Sequence, residues 1–230
     1  MSTGINRLEN QSAKNDTQHI SAIDRSLVVL LPDLHFDHPA QHFSTQSPMP
    51  PTELIASMNR PLSLTFQLTR GCNFKCVYCS EPPGIRSRPL AVMKAMVDKM
   101  VGMRRIILSG GEPMAYKHFW EILEYARDRF EIVVLSTNAS LITRSSAERL
   151  RPLVDYIDVT VDGARKQHDL IRGQYDAVVR GLAHIASAGI PLSVICVYLQ
   201  GNRNAIHYIA QTVMPLEQRR LRYSLQFPKA

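Results

Sequence analysis

Leu64-Thr-Phe-Gln-Leu-Thr-Arg70 runs directly into Gly71-Cys72-Asn-Phe-Lys-Cys76-Val-Tyr-Cys79. The first of these stretches alternates apolar and polar side chains, the period of a β-strand with one face in a core. Gly71 then turns the chain. Three of the four cysteines follow, spaced C-x3-C-x2-C. The thiols are therefore expected in a loop at the C-terminal end of a strand, where α/β folds carry their chemistry. Three neighbouring thiolates suit a soft metal or an iron–sulfur cluster. A closed structural zinc site takes four ligands, and no fourth Cys lies nearby. A cubane cluster on three cysteines keeps one iron open to a small molecule. A zinc knuckle finished by a distant His, or three unrelated thiols, would show the same spacing.

Outward from this point the pattern is regular. Pro89 to Gly102 has helical periodicity, with Leu90, Met93, Val97 and Met100 on one face. Arg105-Ile-Ile-Leu108 reads as a short buried strand and His118 to Phe130 as a helix with Phe119, Ile122, Leu123 and Ala126 inward. Strands follow at 131–135, 156–161, 191–199 and 222–227, with helices at 143–152, 175–188 and 203–213. Six strands alternating with five helices predict an α/β fold with parallel strands and right-handed crossovers. The expected architecture is a partial (β/α)6 TIM-like barrel, since the chain is too short for eight units. A flat doubly wound sheet fits the same pattern.

The chain of 230 residues accommodates one sizeable domain, 61–230, behind a polar extension, 1–60. That extension is rich in Ser, Asn, Gln, Asp, His and Pro, and reads as a disordered lead to residue 20 and a partly ordered segment beyond it. Asp33-Leu-His35-Phe-Asp37-His38, with His42, has metal-ligand residue types, but nothing fixes a geometry, so it reads as a polar loop. No apolar run is long enough for a bilayer; Leu27-Val-Val-Leu-Leu31 ends at Pro32. Charges of both signs in residues 1–25 exclude a signal-peptide pattern, so a cytoplasmic protein without membrane contact is expected. In that compartment the cysteine pattern points to metal rather than disulfides. The net charge of +7 is modest, and no Lys/Arg stripe with interleaved aromatics argues for nucleic acid. Arg219-Arg220-Leu-Arg222 reads as a solvated edge, with contact to an acidic peptide or nucleic acid as the alternative.

Each strand feeds a distinctive loop. Ser109-Gly-Gly-Glu-Pro113 offers two glycines that allow close backbone approach to a ligand, and Glu112 adds a carboxylate suited to an ammonium group. It lacks the spacing of a dinucleotide or P-loop fingerprint. Ser136-Thr-Asn-Ala139 places Asn138 either to bond a ligand or to cap the following turn. Asp158, Thr160 and Asp162 share one strand face, which would make them polar groups inside a barrel, and Asp162-Gly163 also makes a good turn.

These motifs taken together carry a resemblance. Cys72-x3-Cys76-x2-Cys79, Gly110-Gly111-Glu112-Pro113, Thr137-Asn138 and Thr160-x-Asp162-Gly163, followed by His168 and Arg172-Gly173, are similar to the radical S-adenosylmethionine (SAM) superfamily. Within it they resemble the SPASM-type branch of peptide and protein maturases, over about residues 62–227. The resemblance implies that Cys72, Cys76 and Cys79 ligate a [4Fe–4S] cluster whose fourth iron chelates SAM. It implies that Tyr78 packs near the adenine and that Gly110–Pro113 binds the methionine ammonium. Asn138 and Asp162 fall within matched motifs, and Thr160 and Arg180 match contacts to the ribose and carboxylate. The implied activity is reductive SAM cleavage and hydrogen abstraction from a peptide or small-molecule substrate, with an electron donor such as flavodoxin or ferredoxin. No side chain is implied as catalytic; the cofactor carries the hard chemistry.

Three positions or regions depart from the family pattern. Ala139 stands where Gly is usual, and Thr160 where Ser is common. The chain also stops at Ala230, without the cysteine-rich extension of that branch, and Cys196 in Val194-Ile-Cys-Val197 reads as core. One cluster is expected, with an exposed barrel edge after the last strand that a partner chain or self-association would cover. A truncated or partner-dependent iron–sulfur protein that binds SAM without turnover is the alternative.

Overall fold

A computed structural model of the chain describes residues 61–80, 87–213 and 219–225. The expected 1–60 extension, with its Asp33–His42 loop, lies outside them. The elements are β1 (Ser63–Gln67), α1 (Leu90–Met100), β2 (Arg105–Ser109), a 3-10 turn at Pro113–Ala115, α2 (Phe119–Arg127) and β3 (Ile132–Thr137). Then come α3 (Arg144–Leu150), β4 (Tyr156–Thr160), α4 (Arg165–Ile171), α5 (Tyr175–Ser187), β5 (Leu192–Tyr198), a 3-10 turn at Gln200–Asn202, α6 (Ala205–Val213) and β6 (Arg219–Leu225).

The six strands form one sheet in the order β1-β2-β3-β4-β5-β6, every pair parallel. A doubly wound sheet reverses its strand order at a switch point. No reversal occurs here, so the flat alternative is set aside and the partial-barrel expectation stands. With all strands parallel, all their C-terminal ends lie on one rim.

The core explains the pattern. Ile106 and Leu108 of β2, Val133 and Leu135 of β3, Ile157 and Val159 of β4, and Val194 and Cys196 of β5 are fully buried. Four consecutive residues of β4, Tyr156 to Val159, are buried, as strands covered on both faces require. The helices close over them with Met93 and Val97 from α1 and the expected Phe119, Ile122, Leu123 and Ala126 from α2. Each such aliphatic burial contributes about 1.5–3 kcal/mol. Cys196 is the core residue expected, and burial pushes its thiol up to about 12. Thr143 starts α3 through a reciprocal capping box with Ser146. No described helix is long and apolar enough to cross a membrane.

Two differences from expectation matter for the site. β1 stops at Gln67, three residues before the alternation ends; Leu68 N–H still bonds the Ser109 carbonyl at the end of β2, and the Thr69 carbonyl accepts from Gly111 in the loop beyond. The unexpected helix α4, only 7 residues long, fills the gap between β4 and α5. Its inward residues are His168 and Ile171, while Leu170 is 71% exposed, so its sequence carries almost no apolar period.

Candidate cofactor site at the strand rim

The site begins where β1 hands over to the cysteine loop. Gly111 N–H donates to the Thr69 carbonyl at 2.8 Å and Glu112 N–H to the Gly71 carbonyl at 2.9 Å. A Cβ on Gly110 (φ +148°) would stand 2.5 Å from the Thr69 carbonyl, and one on Gly111 2.5 Å from that of Gly71. The close approach that these two glycines permit is thus to the backbone leading into the cysteines. The second glycine turn and the thiol loop are built as one unit.

Glu112 is fully buried. Its Oε1 accepts from the Thr137 hydroxyl at 2.8 Å and from Met114 N–H at 3.1 Å, and its Oε2 accepts from Asn138 N–H at 2.8 Å. Burial pushes its carboxyl above the ordinary range, opposed by these three hydrogen bonds. The carboxylate expected to hold an ammonium group is turned toward β3 and ties the second and third strand ends together. Pro113 then starts the 3-10 turn, with Glu112 as its cap.

Asn138 closes the turn and also reaches the cysteine loop. Its Oδ1 accepts from Ser140 N–H at 2.9 Å, closing the turn, and its Nδ2 donates to Asn73 Oδ1 at 2.9 Å inside the cysteine loop. At Ala139, φ is +62°, the left-handed region that glycine takes more easily. A glycine also supports this loop from behind. A Cβ on Gly181 of α5 would sit 2.0 Å from the Ala139 carbonyl.

Asp162 is the second buried carboxylate, also with no exposed surface. Its Oδ1 accepts from Val197 N–H at 2.7 Å, and its Oδ2 accepts from the Tyr78 hydroxyl at 2.7 Å. Arg172 NH1 stands 3.6 Å from Oδ2 and donates to the Tyr78 hydroxyl. Burial raises the Asp162 carboxyl, and Arg172 is the largest opposing influence. Asn202 Nδ2 donates to the Asp162 and Val197 carbonyls at 3.1 and 2.9 Å, which locks the exit of β5 to the same point. Asp162 N–H donates to His168 Nδ1 at 3.3 Å. Burial, reinforced by Arg172, lowers the His168 imidazole to about 4, so the ring is neutral.

The three cysteines share this setting. Cys72 and Cys79 are exposed, Cys76 is half-buried, and none forms a disulfide. Phe74 N–H donates to Cys72 Sγ at 3.3 Å, and Val77 N–H donates to the Ile171 carbonyl at 2.9 Å, pinning the loop to α4. Burial raises the Cys72 and Cys76 thiols, while the Arg172 charge pulls both back. Among the described residues, no three His, Cys, Asp or Glu side chains converge as ligands of a single metal ion. Three free thiols on one short loop, with a buried cation behind them, fit an iron–sulfur cluster.

The structure therefore gathers Cys72, Cys76, Cys79, Tyr78, Gly110, Gly111, Glu112, Pro113, Asn138 and Asp162 on one rim, with Thr160 half-buried at the end of β4. Arg180 is different. It is exposed on α5, with its charge near Asp176 one turn earlier, outside the buried contacts above. The residues that sequence reasoning left without a role are Arg172, His168 and Asn202. The first two stood in the quoted His168 and Arg172-Gly173 motif, and that was their only signal.

Comparison with known proteins matches this geometry. The Radical SAM superfamily pattern matches residues 66–212. An AdoMet-dependent heme synthase from Methanosarcina barkeri is 38% identical over 142 residues, which is 57% of this chain and 40% of that protein. The mycofactocin maturase MftC from Mycobacterium tuberculosis is 36% identical over 166 residues, 65% of this chain and 42% of that protein. The chain thus spans less than half the length of these relatives. The solved structure of anSMEcpe with bound AdoMet and Kp18Cys peptide shares the fold, with a TM-score of 0.63 at 21% identity over 73% of this chain and 52% of that one. With its cysteine loop, glycine turn and rim carboxylates on six consecutive parallel strands, the chain belongs to the radical SAM superfamily of enzymes.

Proposed function

We propose that the chain holds a [4Fe–4S] cluster on Cys72, Cys76 and Cys79, binds SAM beside it, and abstracts hydrogen from a peptide or peptide-like substrate. One observation carries this reading: the three thiols, the Gly110–Pro113 turn, Asn138 and Asp162 converge on one rim through hydrogen bonds that link their loops directly. Held on Cys72, Cys76 and Cys79, the cluster would supply the single electron for reductive cleavage of the SAM carbon–sulfur bond, the chemistry that releases methionine and enables hydrogen abstraction from substrate. The chain's own residues bind, orient and exclude water. Tyr78 offers its ring beside the adenine while its hydroxyl is anchored on Asp162. The turn at Gly110–Pro113 receives the amino end, through backbone groups, because the Glu112 carboxylate is engaged within the protein. Thr160 and Arg180 are assigned to the ribose and carboxylate. The reductant is a low-potential carrier of the flavodoxin or ferredoxin kind.

The maturase relative favours a peptide substrate. The heme synthase relative favours a second reading, a small-molecule substrate such as a tetrapyrrole, on the same cofactor site. The test is anaerobic reconstitution with iron and sulfide, then dithionite and SAM, with Cys76→Ala as control. Formation of 5′-deoxyadenosine that disappears in the control is the expected result. A brown protein that yields none supports the partner-dependent alternative, and a colourless zinc protein overturns the cluster assignment. Deuterium carried into 5′-deoxyadenosine from labelled peptide or labelled tetrapyrrole decides between the substrates.

A further inference from the structure

Among the described residues Arg172 is a strongly buried cation at the rim, with a side chain only 9% exposed. It lies at the C-terminal end of α4 and reaches into the cysteine loop from behind. Its guanidinium carbon is 5.8 Å from the Phe74 ring centroid and 5.9 Å from that of Tyr78. Phe74 lies between Cys72 and Cys76, and Tyr78 between Cys76 and Cys79. NH1 donates to the Tyr78 hydroxyl and faces Asp162 at 3.6 Å, while Nε is buried without a hydrogen-bond partner. A guanidinium with one carboxylate neighbour at this distance, two aromatic faces and an unpaired N–H is not an optimised ion pair. Asp162 is its carboxylate counter-charge, and the guanidinium remains a cation as arginine does in proteins.

We propose that Arg172 is a positioning residue for the cluster, acting in two separable ways. Its planar fork, clamped between Phe74 and Tyr78, fixes the shape of the loop that presents the three thiols. Its charge lies against Phe74 and Tyr78 inside the same loop and stabilises the electron that a reductant adds to the cluster, raising the reduction potential. The proposal rests on the assignment of a cluster to these cysteines. The redox step involved is addition of one electron from dithionite, which leaves the cluster one charge more negative; a fixed cation close by favours that state in a low-dielectric setting.

The test uses the full chain, reconstituted anaerobically, with three readouts: iron and sulfide retained per chain after desalting, the cluster midpoint potential by dithionite titration followed by electron paramagnetic resonance, and circular dichroism for folding. Arg172→Gln removes charge and fork, and is expected to retain less iron and to shift the potential negative. Arg172→Lys keeps the charge and loses the fork, so it should retain less iron with a potential near that of the parent. Tyr78→Phe removes one partner of the fork and keeps the charge, and should behave like the lysine variant. If Arg172→Gln does not fold, the lysine and phenylalanine variants decide: reduced iron retention at parental potential supports the proposal, and parental retention overturns it. A folded Arg172→Gln with parental potential overturns the electrostatic role, and equal shifts in the Gln and Lys variants overturn it as well. If the parent chain itself takes up no cluster, the functional assignment fails rather than the role of Arg172.

Discussion

Glu112, after β2, and Asp162, after β4, are both buried carboxylates at strand ends, yet their partners differ in kind. Glu112 is held by three neutral donors, and these come from its own turn and the adjacent strand end. Asp162 is held by a phenol from the β1 loop, a backbone N–H from β5 and a guanidinium from α4. The first carboxylate stitches neighbours in the sheet and can be satisfied by local chain. The second spans from the first loop of the domain to its fifth strand and relies on a buried charge. The rim thus has a structural seam on one side and an anchor for the cysteine loop on the other.

Asp162→Ala strikes at this contrast hardest. It strands Arg172 as an uncompensated buried charge and should cost about 3–5 kcal/mol in urea unfolding. Glu112→Ala leaves three donors unpaired but no cation, and should cost less, about 2–4 kcal/mol. A Glu112→Ala cost equal to or above that of Asp162→Ala would show that the buried cation is not what separates the two knots.

Acid should distinguish them next. His168, on the Asp162 side, has its folded value lowered to about 4 from an ordinary 6.5. Between those values the unfolded chain takes up the proton first, so this contribution is fully present above pH 6.5 and is lost as pH falls toward 4. The slope is at most about 1.4 kcal/mol per pH unit. It should vanish in His168→Gln and persist in Glu112→Ala, as read from unfolding midpoints across that range.

Smaller effects sharpen the comparison. Tyr78→Phe and Thr137→Val each remove one hydroxyl from a buried carboxylate and should each cost about 1.5 kcal/mol. Because the two hydroxyls share no partner, the double variant should be additive within about 0.5 kcal/mol. Coupling well beyond that would mean the seam and the anchor are one cooperative unit.

Much of this was legible before any coordinates. The apolar runs at 105–108 and 131–135 and the helical stripe Phe119-x-x-Ile122-Leu123 are strong because parallel strands and their covering helices bury whole faces. The cysteine spacing and the glycine turn were legible as strand-end loops, and the structure joins the two. The reason for the two glycines was not legible, since their neighbours Thr69 and Gly71 are about forty residues away in the chain. Helix α4 was missed because its buried face is an imidazole and one isoleucine rather than a stripe. Arg172 went without a role for the same reason. A charged residue between a helix and a glycine reads as solvated surface until Phe74, Tyr78 and Asp162 are seen to enclose it.

The contact between Tyr78 and Arg172 joins residues 94 positions apart, and that between Tyr78 and Asp162 joins residues 84 apart. On the ribosome, the thiols emerge long before either partner has been made. Asp162 in turn waits for Val197, 35 residues later still. The loop that carries the thiols is therefore held in its final shape only once β5 exists. Until β5 is made, the thiols lack the contacts that hold their loop in place.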